Sequence, residues 1–172
     1  MYRHPNNDEM RTRDYGCTFV VRNTPKEVYD AITRVTEWWT INTDGDTKAV
    51  GDEFTVQFGD VHRTTQRITE ALPGERIVWH VTKSQLPWLK DIEEWKGTDI
   101  VFAIAATPEG TRLTVTHVGL TPDVECFEQC EKGWDYFIGT SLFKLITEGA
   151  GLPDTTERTH MDHIGHVHAR NT

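Results

Sequence analysis

The chain has 172 residues, 27 of them acidic and 18 basic, for a net charge of −9; this is the length of one domain with an acidic surface, which disfavours a nucleic-acid partner. No apolar run approaches the roughly 20 residues of a membrane span, which argues against stable membrane insertion. Residues 1–14 lack the apolar stretch of a secretory signal, and three cysteines do not make a disulfide framework, so the expected location is cytoplasmic.

Residues 1–14 read as a polar extension. Tyr15–Val21 carries the aromatic and β-branched residues of a strand. Asn23-Thr24-Pro25 is a helix-start signal, a capping side chain followed by a proline whose missing N–H costs nothing there. That helix runs through Val28, Tyr29 and Ile32, and a second short one around Val35–Trp39 carries Trp38 and Trp39. Alternation then predicts strands at Glu53–Phe58, Val61–Leu72 and Arg76–Thr82, separated by Gly59-Asp60 and Pro73-Gly74. Residues 83–98 form a longer loop with Trp88 and Trp95, either a lid or a cover for the sheet edge. Asp99–Ala106 and Arg112–Gly119 make a last hairpin.

A long helix from about Val124 to Thr147 places Phe127, Cys130, Trp134, Phe137, Ile138, Ser141, Leu142 and Leu145 on one stripe. Only the sheet is large enough to cover that stripe. Gly149, Gly151 and Pro153 end the helix, and residues 152–172 read as a polar, histidine-containing tail. The expected class is α+β: a curved antiparallel sheet of about six strands around a C-terminal helix, with two short helices after the first strand and one domain over residues 15–151.

Charge fixes the phase of the strands, because unpaired arginines stay outside. Arg63 and Arg67 face out, so His62, Thr64, Gln66 and Ile68 face in. By the same argument Ile77, Trp79 and Val81 face in, as do Leu113, Val115 and His117, with Phe102 placed inside on the neighbouring strand. Thr64, Gln66 and His117 make an inward row that is polar for a core and fits a pocket with apolar walls and a few converging polar groups. The alternatives are that Thr64 and Gln66 meet water at an open end of the sheet and that His117 is hydrogen-bonded within the core.

The order of elements resembles the START-like superfamily, also called SRPBCC, with its helix-grip (Bet v-type) fold. The resemblance is to the branch named for the activator of heat-shock protein 90 ATPase. It rests on Thr24-Pro25-Lys26-Glu27-Val28-Tyr29, Glu37-Trp38-Trp39-Thr40, the strand Gly110-Thr111-Arg112-Leu113-Thr114-Val115-Thr116-His117, and Gly133-Trp134-Asp135. Glu125-Cys126-x-x-x-Cys130, with Gly133-Trp134 and Ser141-Leu142, resembles a bacterial subgroup of that branch. The resemblance implies a fold and a cavity, not a reaction, since relatives bind lipids, cyclise polyketides or regulate a chaperone.

The leading expectation is binding of a small, largely hydrophobic ligand (a lipid, a sterol, or an aromatic or polyketide-like molecule) between sheet and helix. Its wall would be Trp39, Phe54, Phe58, Trp79, Phe102, Trp134 and Phe137, with Thr64, Gln66 and His117 as polar groups. The alternative is a cyclase/aromatase-like or hydrolase-like enzyme using His117 as acid or base, helped by His62. A third reading is a chaperone-regulating module. The eukaryotic activators carry a separate N-terminal domain and this sequence has a short polar lead-in, so the expectation goes against it. A homodimer is left open, and no cofactor is expected. Cys126 and Cys130 could join a metal site with His117 or form a redox pair, but read more simply as small hydrophobes. His160, His163, His166 and His168 are weak metal candidates in the tail.

Overall fold

The computed structural model describes residues 13–156. The four tail histidines lie outside the described residues. Strand β1 (Tyr15–Val21) leads into α1 (Pro25–Thr33) and α2 (Val35–Trp38). A meander follows: β2 (Thr43–Gly45), β3 (Glu53–Phe58), β4 (His62–Leu72), β5 (Arg76–Gln85), β6 (Asp99–Thr107) and β7 (Gly110–Val118). A C-terminal helix closes the fold as α3 (Phe127–Tyr136), a π-helical segment (Phe137–Leu142) and α4 (Phe143–Glu148).

The strands form one antiparallel sheet in the order β1-β7-β6-β5-β4-β3-β2. It has seven strands rather than about six; three-residue β2, with the sequence Thr-Asp-Gly, is too short and polar to show alternation. Consecutive β1 and β2 lie at opposite edges, so α1 and α2 carry the chain across the concave face. Two register breaks between β4 and β5, at Thr65/Gln66 and Ile68/Glu70, bend the sheet around the helix.

Local chemistry explains the element ends. Thr24 closes a capping box on α1: its hydroxyl accepts from Glu27 N–H, and its own N–H donates to the Glu27 carboxylate. Gly149 ends α4 in the left-handed conformation at φ 87°. The chain does not leave the body at residue 151. Leu152 N–H donates to the buried Ser141 hydroxyl, which itself donates to Trp38 C=O. Asp154 then pairs with the Trp39–Ile41 backbone, so residues 152–156 form a strap across α2.

The inward phase read from charge holds: Ile68, Ile77, Trp79, Val81, Leu113, Val115, Phe102 and His117 are all buried. The long helix starts at Phe127, later than expected, and its middle is π-helical: Phe143 N–H reaches Ile138 C=O, five residues back.

Candidate functional site

A row of indoles runs through the interior. Trp38 stacks on Trp79 and on Trp39, Trp39 stacks on Trp134 at 5.0 Å, and Trp134 stacks on Trp95 at 5.8 Å, all within 16–23° of parallel. At the Trp79 end the row is solid. Phe54 and Phe102 meet the Trp79 ring edge-on at 5.0 and 4.7 Å, and Trp38, Trp79, Phe54 and Phe102 are essentially sealed.

At the Trp95 end the row opens onto a cavity of about 190 Å³. Trp39, Phe58 and His62 form one side of it, and Gly133, Trp134 and Phe137 form the helix side. Leu86, Trp88 and Trp95 come from the β5–β6 loop, with Val61, Gln129 and Cys130 at the edge. Gly133 sits within α3, where glycine costs about 1 kcal/mol relative to alanine. A Cβ built there would meet nothing within 4 Å. The missing side chain is part of the cavity's volume.

The structure separates the expected wall residues into two groups. Trp39, Phe58, Trp134 and Phe137 line the opening, whereas Phe54, Thr64, Gln66, Trp79, Phe102 and His117 lie behind it in close packing. Trp95 is a buried wall rather than a lid, and Trp88 sits at the rim, its indole N–H donating to Val61 C=O at 3.1 Å. Sequence reasoning missed Gly133 as a source of space; its only trace was a glycine inside an otherwise regular helical stripe.

The loop carrying Trp88 and Trp95 is tied down at its far end. No side chain of α3 caps its own N-terminus. Instead Glu94 accepts from the N–H groups of Glu125 and Cys126, both at 3.0 Å, placing a carboxylate at the positive end of the helix. Glu125 in return accepts from Lys90 N–H.

The two interior histidines differ. Trp134 Nε1–H can only donate, so His117 Nδ1 accepts at 3.0 Å and its proton sits on Nε2. That N–H donates to Thr98 Oγ1 at 2.8 Å, and the Thr98 hydroxyl donates to Trp95 C=O at 2.7 Å. His117 is thus a neutral, fully occupied link between β7, α3 and the loop. Burial first, and the neighbouring His62 second, push its pKa down to about 3. His62 lines the cavity among the rings of Phe58, Trp39 and Trp95. Its Nε2 pairs with Thr64 Oγ1 at 3.0 Å, while Nδ1 has no partner among the described residues and is not sealed. Burial lowers its pKa to about 3 as well, so the cavity presents a neutral imidazole.

The neighbouring Cys130 side chain first, then burial, holds the Cys126 thiol well above its ordinary range. Such a thiol is a poor nucleophile and a poor metal ligand. Among the described residues no group of three His, Cys, Asp or Glu side chains is placed to hold a metal ion. No described helix is long and apolar enough to cross a membrane.

Residues 22–147 match the family model of Activator of Hsp90 ATPase homolog 1-like protein. Solved structures share the fold. The Aha1 dimer from Colwellia psychrerythraea is 21% identical with a TM-score of 0.66, over 80% of this chain and 98% of that one. Protein MLL2253 from Mesorhizobium loti is 17% identical with a TM-score of 0.65, over 81% and 100%. DynU16, from the dynemicin biosynthetic locus, is 20% identical with a TM-score of 0.58, over 85% of this chain and 51% of that one. No curated protein matches significantly.

Proposed function

Given that the chain belongs to the Activator of Hsp90 ATPase homolog 1-like family, we propose that its cavity binds a small, uncharged, flat aromatic molecule. The observation that carries this reading is the opening at the end of a continuous indole stack, walled by Trp39, Trp95 and Trp134. Flat rings offset-stack on such faces. An apolar cavity of roughly 150 Å³ already holds a benzene-sized molecule, so about 190 Å³ suits one ring with a small substituent. A sterol would require the packed half of the grip to open. Neutral His62 can orient a hydroxyl or carbonyl, and among the described residues no Asp, Glu, Lys or Arg is buried to pair with a ligand charge.

Binding rather than turnover fits the chemistry of the wall. His117, the acid–base candidate, is occupied on both ring nitrogens and does not line the cavity, so proton transfer would fall to His62. The solution dimer described for the Colwellia protein supports a homodimer here too, which sedimentation velocity would read directly.

Filling the cavity from the helix side tests the binding reading. Gly133→Leu places a side chain where a Cβ meets open space, so the fold should survive. Phenol, indole and 2-naphthol should quench or shift the tryptophan fluorescence of the wild type, with at least a tenfold loss of affinity in the variant. Equal binding by both proteins would put the ligand elsewhere, and absence of binding by the wild type would refute the reading.

A further inference from the structure

The inner wall carries a polar group that nothing in the packed structure explains. Gln66 is fully buried on the inward face of β4, and neither Oε1 nor Nε2 of its amide has a hydrogen-bond partner among the described residues. A buried amide left unpaired is destabilising, and an apolar side chain of the same shape would be preferred there if packing were its only role. Gln66 is not isolated. It shares its face with Thr64 and with His62, which lines the cavity. Opposite them on β3 stand Phe54, Val56 and Phe58. A polar row thus runs from the cavity into the sealed half of the grip, against an apolar one.

Trp39 stands between the two halves. Its ring lines the cavity on one side and stacks on Trp79 at 5.6 Å on the other. Trp38 is pinned by its N–H on Ile32 C=O, and Trp134 by its N–H on His117. The Trp39 indole makes no hydrogen bond among the described residues and is held by ring contacts to Trp38, Trp79, Trp134, Phe58 and His62. The helix facing it is π-helical from Phe137, a local irregularity often found beside binding sites.

Resting on the cavity reading above, we infer that the binding site extends past Trp39 to Gln66, whose amide takes the inner polar group of the ligand. His62 and Gln66 are four residues apart on the strand, roughly 13 Å, so the ligand class is an elongated aromatic of about two linked rings. Its inner end carries one uncharged hydroxyl or carbonyl. A carboxylate or ammonium is disfavoured, because among the described residues no charged side chain is buried to compensate it.

Two probes that differ by a single terminal hydroxyl separate this inference from the broader reading. Tryptophan fluorescence titrations would compare 4-phenylphenol with biphenyl, on the wild type and on Gln66→Met. The wild type should bind 4-phenylphenol at least tenfold more tightly than biphenyl. Gln66→Met should abolish that preference and raise the melting temperature by removing the orphan amide. A preference that persists in the variant, or no preference in the wild type (the result if Gln66 only holds a water molecule), would overturn the inference. Binding of phenol and indole but of neither two-ring probe would also overturn it while leaving the cavity reading intact. Binding of no aromatic would bring down both. Should Gln66→Met fail to fold, the wild type still decides: contact between 4-phenylphenol ring protons and the Gln66 amide protons in NOE spectra is expected, and its absence from a bound complex overturns the inference.

Discussion

The two halves of the grip are built from the same residue types, yet one is core and the other cavity. Trp38, Trp79, Phe54 and Phe102 are buried in ring-to-ring contact, while Trp39, Phe58, Trp134 and Phe137 leave room for a ring. What differs is the partner across from the aromatics. The closed half is packed with large side chains fixed in place, such as Trp38 on Ile32 C=O. The open half faces Gly133, on a helix about to become π-helical. Aromatic content therefore does not distinguish a binding wall from a core; the volume withheld on the facing element does.

The sharpest way to break this comparison is to cut a ring from the closed half. Trp79→Ala should cost about 3–5 kcal/mol, the usual range for a buried aromatic. The loss should appear in urea unfolding as a lower midpoint with little change in slope. A cost under about 1 kcal/mol would mean that the closed half is looser than its packing shows.

Acid acts through the histidines at the boundary of the two halves. His117 titrates near 6.5 when unfolded and near 3 when folded, so between those values the unfolded chain binds more protons. Stability should be complete above pH 6.5 and fall as the pH drops towards 3, by about 1.4 kcal/mol per pH unit for this one group. His62 adds a contribution of the same sign. Urea midpoints between pH 4 and 8 should show this slope, reduced in His117→Gln. Identical slopes in both proteins would place the acid sensitivity elsewhere.

Much of the fold was legible because its signals are local. Thr24-Pro25 announced α1, alternation in β3 and the arginines of β4 set the inward faces, and Gly149 marked the helix end. The site was legible only by halves. Strand phase can say that Phe54 and Phe58 point the same way, but not that one meets Trp79 and the other meets open space. That depends on contacts between residues far apart in sequence. The π segment was hidden because a 100° projection assumes a regular helix, and the Glu94 cap because it comes from a distant loop.

That cap offers a smaller test of how the loop wall is held. Glu94→Ala removes the carboxylate from the N–H groups of Glu125 and Cys126, and should cost about 1–2 kcal/mol. If Glu94 also holds Trp95 against the cavity, hydrogen exchange should speed up across residues 86–98 while the β3–β4 hairpin stays protected. Uniform acceleration would instead mean that the loop and the sheet open as one unit.

The smallest expected effect bears most directly on why the open half is open. Gly133→Ala adds one methyl group inside α3, where nothing lies within 4 Å of the new Cβ and the backbone is already helical. Alanine is favoured over glycine in a helix interior by about 0.5–1 kcal/mol. The variant should therefore melt a few degrees higher, and bind small aromatics slightly less well. Such a pairing is the signature of a residue kept for space at the expense of stability. If Gly133→Ala lowers the melting temperature, the glycine serves the backbone instead, and the volume of the open half owes more to the π segment beside it.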